Sequence, residues 1–323
     1  MFNSCYIVIK EKNYFISLKW GMKMRFVTFE MGNEQRIGLL LEDNQVLDLQ
    51  KAQELMENQI TLPNTMIGLI QLGESAINKS KEILEWIQIG NGEGAIYSLD
   101  QDVHLLAPIP RPTKNIFCLG KNYAAHAKEM GAEELPKYPM VFSKAPTTVT
   151  GPYANVLSHK EITDSLDYEG EMAVIIGKKG TRISKEEAFD YVFGYTIIND
   201  ITARNLQNNH KQFLLGKSLD TGCPMGPAIV HASVIENAHH LQVKTTVNGE
   251  LRQNGNTDEF IFDIPTMIAS ISQGLTLEPG DIIATGTPSG VGSGFNPPKF
   301  LKVGDVVEVE IEGLGVIKNT IVE

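Results

Sequence analysis

A β-rich α+β fold is predicted for this chain of 323 residues, and three observations carry it. Short apolar runs, many of them β-branched, recur from about residue 110 onward between Gly, Pro and Asn. Helical periodicity in the first third is confined to Lys51–Glu57 and Ser75–Gln88. Between the two textures, Leu105–Pro112 is an extended stretch punctuated by three prolines, which reads as a boundary. The expected organisation is an N-terminal extension over residues 1–21, a small α+β domain over 22–110 and a larger β-rich domain over 111–323.

Taken in order, Lys10, Glu11, Lys12 and Lys19 interrupt the apolar stretches of Met1–Gly21, so no signal-peptide core forms there. Met22-Lys23-Met24-Arg25-Phe26-Val27 reads as a fresh start. Arg25–Phe29, Arg36–Leu41 and Gln45–Leu49 are strand-like, joined by turns at Met31–Glu34 and Glu42–Asn44. In the second domain the strand candidates are Ile116–Gly120, Met140–Phe142, Met172–Ile176, Tyr195–Ile198, Ala228–His231, Leu241–Val247, Asp281–Ala284 and Val306–Ile311. Asn248-Gly249 after the alternating run Leu241–Val247 signals a type I′ hairpin. Pro265 opens a helix over Ile264–Gln273.

A composition of 42% apolar and 21% charged residues supports a buried core. A formal net charge of -11 argues against nucleic acid or an anionic membrane surface as partner. No apolar run reaches the roughly 20 residues that span a bilayer. Cys5, Cys118 and Cys223 are far apart, which fits a reduced, cytoplasmic protein without disulfides. Cys118, within Ile116–Leu119, reads as a small core residue.

Side chains two apart on a strand share a face, so Glu169 and Glu171 project together around Gly170. Two parallel carboxylates entering a buried strand need a counter-charge, and a hard divalent cation supplies one; two solvated glutamates at a strand mouth is the other reading. Asp200 ends the next buried run, Tyr195–Asp200. It is either a third ligand or the N-cap of a helix over Ile201–Asn208, whose face also carries Arg204 and Gln207. His126 and Glu129 are neighbours on a short helix, Asn122–Gly131. They form either a general-base pair or a surface ion pair. Lys217 in an apolar setting either stabilises developing negative charge or reaches to solvent. The Gly-rich turn Ala284–Gly294, with Thr287, offers backbone N–H groups to an anion, or is simply a tight loop. His239-His240 lies in a polar turn and reads as solvated.

Taken together, Cys118–Tyr123 with His126 and Glu129, Asp167-Tyr168-Glu169-Gly170-Glu171, Asn199–Arg204 with Gln207, Gly216–Asp220, and Thr285–Gly292 resemble the fumarylacetoacetate hydrolase family. The matching stretches run from about Lys114 to Ile321, in the family's order. With its N-terminal domain the chain is similar to bacterial members of the oxaloacetate decarboxylase and acylpyruvase type. The resemblance implies a mixed β-roll catalytic domain, a homodimer, and Mg²⁺ or Mn²⁺ held by Glu169, Glu171 and Asp200. It further implies His126 and Glu129 as the water-activating pair, a catalytic Lys217, and substrate contacts from Arg204, Gln207 and Thr287. One departure is Asn205, where the family has Asp, which would remove a charge near the metal. The implied substrates are small 2-oxo acids. Their 2-oxo and carboxylate oxygens would chelate the cation, and C–C cleavage would leave an enolate stabilised by the cation and Lys217. Oxaloacetate decarboxylation, acylpyruvate hydrolysis, or isomerisation and decarboxylation of homocatechuate-pathway dicarboxylates all fit. A binding protein that keeps the fold without catalysis is the reading from another class.

Overall fold

The computed structural model describes residues 24–56, 59, 61–99 and 101–323. The expected extension over 1–21, the fresh start at Met22 and Glu57 lie outside these residues. Among the described residues a mixed sheet of 12 strands forms the body. From edge to edge its main path runs Ile96–Ser98, Gln45–Asp48, Glu34–Leu40, Arg25–Met31, Cys223–His231, Val192–Asn199, Gly170–Ile176, Ile282–Ala284, Ile116–Gly120 and Met140–Lys144. A second sheet of five strands runs Glu250–Asn256, Gln242–Val247, Val306–Ile311, Gly315–Val322 and Val156–Leu157. The strand-rich expectation is met.

The strand Gly170–Ile176 is buried along its whole length and divides two cores. Met172, Val174 and Ile176 join Val243, Val309, Ile311 and Ile317 between the sheets. Ala173 and Ile175 face the other way, into a core shared with Ile77, Ile83, Leu84 and Ile87 of the helix Glu74–Gln88. The two-residue period therefore puts Glu171 on the helix-covered face. Gly170 faces the second sheet, where a Cβ would meet Val309 Cγ1 at 2.8 Å and collide with Thr245 Oγ1. Its missing side chain is what lets the two sheets close at this end.

Continuity across residue 110 is a further feature. Arg25–Met31 pairs antiparallel with Cys223–His231, with Phe26 opposite Ile229, so the N-terminal strands extend the sheet of the later residues. Some local readings shift. Leu49 opens a helix over Leu49–Leu55 and does not end the preceding strand, because Asp48 accepts from the N–H groups of Gln50 and Lys51 as N-cap. The helix Met66–Leu72 and the strands Glu250–Asn256 and Gly315–Val322 add to the expected set. Asn248 and Gly249 have φ of 52° and 77°, as a type I′ turn requires. His239 is half-buried, not solvated: its ring packs against Phe189 and Phe260, and Nε2 accepts from the Ile264 N–H at 3.0 Å, capping the helix Ile264–Ser272.

Phe26 sits at the sheet junction, fully buried, with its ring centroid 5.6 Å from that of Phe193. Phe26→Ala is expected to cost about 3–5 kcal/mol, read by urea denaturation as one shifted transition. An early transition confined to the N-terminal strands would contradict the shared core.

Candidate metal centre and active site

Strand ends deliver the acidic residues. Asp167 and Glu169 precede Gly170–Ile176, Glu171 is its second residue, and Asp200 follows Val192–Asn199. Gly170 pairs with Asn199, and Glu169 donates its N–H to Asn199 Oδ1 at 3.0 Å, which aligns the two strand ends. Carboxylate oxygens of Glu169, Glu171 and Asp200 lie within 4.8 Å of one another, and all three residues are buried. The first reading of the Glu169–Glu171 pair, a cation-binding arrangement, thus gains Asp200. The N-cap alternative fails, since the following helix starts only at Arg204 and is capped by Ala203 without a side-chain bond.

Three buried cations bind this cluster. Lys217 Nζ lies 2.7 Å from Glu169 Oε2 and 2.8 Å from Asp200 Oδ2. Lys144 Nζ lies 2.7 Å from Asp200 Oδ1 and 3.0 Å from the Ile201 carbonyl. Arg204 pairs through Nη2 with Glu169 Oε1 at 2.7 Å and through Nε with Asp167 Oδ2 at 2.8 Å. Burial alone would lower the Lys217 pKa, but Asp200 and Glu169 outweigh it and keep the ammonium charged. Burial likewise opposes ionisation of Glu169, yet Lys217 and Arg204 hold it down at about 2. Lys217 is 2% exposed and does not reach to solvent.

Glu171 differs. Its Oε2 accepts the Gly286 N–H at 2.8 Å, and among the described residues no Lys or Arg forms an ion pair with it. Burial, Asp200 and Glu169 together push its pKa well up. Four carboxylates, Asp167, Glu169, Glu171 and Asp200, thus face three cations, Lys144, Lys217 and Arg204. Glu171 is left without a matching cation, so burial and its two carboxylate neighbours favour its protonated form until a counter-charge is supplied. A hard divalent cation suits this oxygen set and this charge deficit.

The loop after Ile282–Ala284 binds anions, as its glycines suggest, but the anions are the protein's own. Gly286 N–H serves Glu171, Gly290 N–H serves Glu129 Oε1 at 2.9 Å, and the N–H groups of Gly292 and Ser293 serve Asp167 at 2.6 and 3.0 Å. Gly286 and Gly290 have φ of +97° and +105°, a region that side-chain-bearing residues avoid. Thr287 donates to the Gly170 carbonyl at 2.9 Å and accepts from Gln253 Nε2 at 2.7 Å.

His126 Nδ1 lies 3.0 Å from Glu129 Oε2 on the helix Ala124–Glu129. Side-chain exposures of 7% and 16% make this no surface ion pair. An ionised Glu129 only accepts, so the proton sits on Nδ1 and Nε2 is free to act as base. The Gly290 N–H that holds Glu129 lies on the same loop whose N–H groups hold Glu171 and Asp167, which ties the pair to the cluster. Gln207 Oε1 accepts from Arg204 Nη1 at 3.1 Å. A cavity of about 320 Å³, walled in part by Glu129, Arg252, Ser289 and Phe295, opens next to the pair.

The expectation that Asn205 thins the charge near the metal is corrected. Its side chain accepts from Thr163 Oγ1 at 2.7 Å and donates to the Ile162 carbonyl at 3.0 Å, so it turns away from the carboxylates. Lys144, Asp167 and Gln253 were missed as site residues. A lysine ending an exposed edge strand reads as a solubilising charge. Gln253 Oε1, which accepts from the Gly170 N–H at 3.0 Å, lies on a strand whose pattern went unread. Asp167 stood within the quoted motif, and only its four bonds in the fold single it out.

Replacing Lys144 by Met strands Asp200 Oδ1 in the interior. The expected loss is about 3–5 kcal/mol of stability, measured by urea unfolding of the metal-free protein. A change under about 1 kcal/mol would mean that Lys144 does not hold Asp200.

Comparison with known proteins gives the family. Residues 115–322 match the family described as fumarylacetoacetate (FAA) hydrolase C-terminal. The chain is 54% identical over 301 residues to oxaloacetate tautomerase YisK of Bacillus subtilis, covering 92% of this chain and 100% of that one. It is 40% identical over 324 residues to the mitochondrial oxaloacetate tautomerase fahd2 of Xenopus laevis, covering 99% and 96%. The solved fumarylacetoacetate hydrolase from the psychrophile Exiguobacterium antarcticum superposes with a TM-score of 0.76 at 39% identity, covering 93% of this chain and 99% of that one. The chain is therefore an enzyme of the fumarylacetoacetate hydrolase family.

Proposed function

We propose that this enzyme acts on oxaloacetate or a close 2-oxo dicarboxylate, and that its main reaction is keto–enol tautomerisation by proton transfer next to the 2-oxo group. The observation that carries the reading is the His126–Glu129 pair beside a buried carboxylate triad. The Bacillus and Xenopus relatives, both oxaloacetate tautomerases by name, support it. They shift the emphasis from the C–C cleavage expected from sequence to enolisation of the intact substrate, in which negative charge develops on the same 2-oxo oxygen.

Glu169, Glu171 and Asp200 would hold the cation, which when bound supplies Lewis-acid polarisation of the 2-oxo group. His126 Nε2 takes the proton from the carbon between the two carbonyl groups. The C–H electron pair becomes the C=C bond, and the carbonyl pair moves to oxygen, which takes a proton back from the His126 imidazolium, directly or through water, to give the enol and restore the base; the reverse path restores the ketone. Glu129 fixes the imidazole tautomer and steadies the imidazolium. Lys217 and Arg204 keep Glu169 ionised and in place. Arg204, Gln207 and Thr287 stand as substrate-contact candidates.

Hydrolytic C–C cleavage of acylpyruvates is the second reading. The Exiguobacterium structure and the cavity beside Glu129, which leaves room for a longer substrate, favour it. The same proposal includes a cytoplasmic homodimer. Exposed Leu135, Tyr138, Met140 and Val141, at and before the edge strand Met140–Lys144, support a second copy there, and free, buried Cys118 and Cys223 fit a reducing compartment.

A panel of 2-oxo acids assayed with Mg²⁺ or Mn²⁺ tests the reading. His126→Ala is expected to cut oxaloacetate tautomerisation about 100-fold or more and to spare decarboxylation more than hydrolysis. Glu171→Gln is expected to abolish metal-dependent turnover. Equal losses in all reactions for His126→Ala, or an unchanged rate for Glu171→Gln, would contradict the assignment.

A further inference from the structure

Asp167 takes no part in the proton transfer proposed above, yet it is fully buried and both of its oxygens are doubly engaged. Oδ1 accepts the N–H groups of Gly292 at 2.6 Å and Tyr168 at 2.9 Å. Oδ2 accepts Arg204 Nε at 2.8 Å and the Ser293 N–H at 3.0 Å. All four partners are donors, so the position needs four lone pairs and no proton. A carboxylate supplies that, whereas an asparagine would turn an NH₂ group toward two donors.

The four partners belong to two different parts of the centre. Arg204 reaches on to Glu169 Oε1 at 2.7 Å. Gly292 and Ser293 belong to the loop whose Gly290 N–H holds Glu129 Oε1 at 2.9 Å, and Glu129 in turn holds His126 at 3.0 Å. The loop lies directly against the carboxylate, since a Cβ on Gly292 would stand 2.6 Å from Asp167 Oδ1. We propose that Asp167 is a positioning residue that joins the carboxylate triad to the base pair, through one chain of ion pairs and hydrogen bonds from Glu169 through Arg204, Asp167 and the glycine loop to Glu129 and His126. The proposal rests on the reading of His126 as base and of the triad as cation site. Outer partners that orient the groups doing the chemistry commonly carry 10–100-fold effects on metal affinity or activity.

The test compares the full-length protein with its Asp167→Asn variant in three measurements: Mn²⁺ affinity by calorimetry, kcat and KM for oxaloacetate at saturating Mn²⁺, and amide hydrogen exchange at Gly290, Gly292 and Ser293. The expected result is Mn²⁺ affinity weakened about tenfold or more and kcat lowered about tenfold or more with KM little changed. Exchange at Gly290, which does not touch Asp167, should speed up as well. A variant with a lower Tm whose Mn²⁺ affinity and kcat stay within about twofold of the parent would reduce Asp167 to a fold anchor and overturn the proposal. Should Asp167→Asn fail to fold, Asp167→Glu keeps the negative charge beside Arg204 but displaces the oxygens from the loop N–H groups. That variant is expected to lose about tenfold in kcat while keeping Mn²⁺ affinity, and an unchanged kcat would overturn the proposal equally. A parent protein inactive on every 2-oxo acid would sink the function reading, while Mn²⁺ affinity and Gly290 exchange would still decide the role of Asp167.

Discussion

The ammonium of Lys217, held 2.7 Å from Glu169 and 2.8 Å from Asp200, is the interaction on which the centre depends. Four carboxylates gathered in the interior would repel one another and lose hydration. Lys217 links two strand ends that carry them, and Lys144 and Arg204 extend the alternation of charge on either side. Among the described residues Glu171 has no Lys or Arg ion pair of its own; it accepts a backbone N–H, and burial with its carboxylate neighbours favours its protonated form. A cation-binding site needs such a position: rigid ligands, fixed by partners of their own, and a carboxyl that a bound cation would let ionise.

The glycine loop gives the same logic in backbone form. Its N–H groups meet Glu171, Glu129 and Asp167 in turn, so one segment sets the positions of a triad carboxylate, of the base pair's orienting carboxylate and of the carboxylate between them. Positive φ at Gly286 and Gly290 is what aims those groups inward. Because the loop follows a strand in the middle of the sheet, buried on both faces, it inherits the rigidity of the core.

Much of this was legible in the sequence. Glu169 and Glu171 were readable as a pair because strand periodicity is local, and His126–Glu129 because helix spacing is local. Their convergence with Asp200, Lys217 and the glycine loop came from motif order. Lys144 and Gln253 were not legible, since their roles depend on which strands become neighbours, and pairing across more than 50 residues leaves no local period. Asn205 misled for a different reason: it follows Arg204 in the chain, but successive residues on a helix point apart, and its side chain bonds Thr163 and Ile162. Leu49 was misplaced because Asp48 can end a strand or cap a helix, and the cap won.

The central claim is that Glu169, Glu171 and Asp200 form one divalent-cation site beside the His126–Glu129 base. A crystal soaked in Mn²⁺ and measured at the manganese edge tests it most directly. The account requires a single strong anomalous peak per chain, bound by one oxygen from each of the three carboxylates. A peak bound by other residues, or none at the triad with Mn²⁺ in excess, would contradict it.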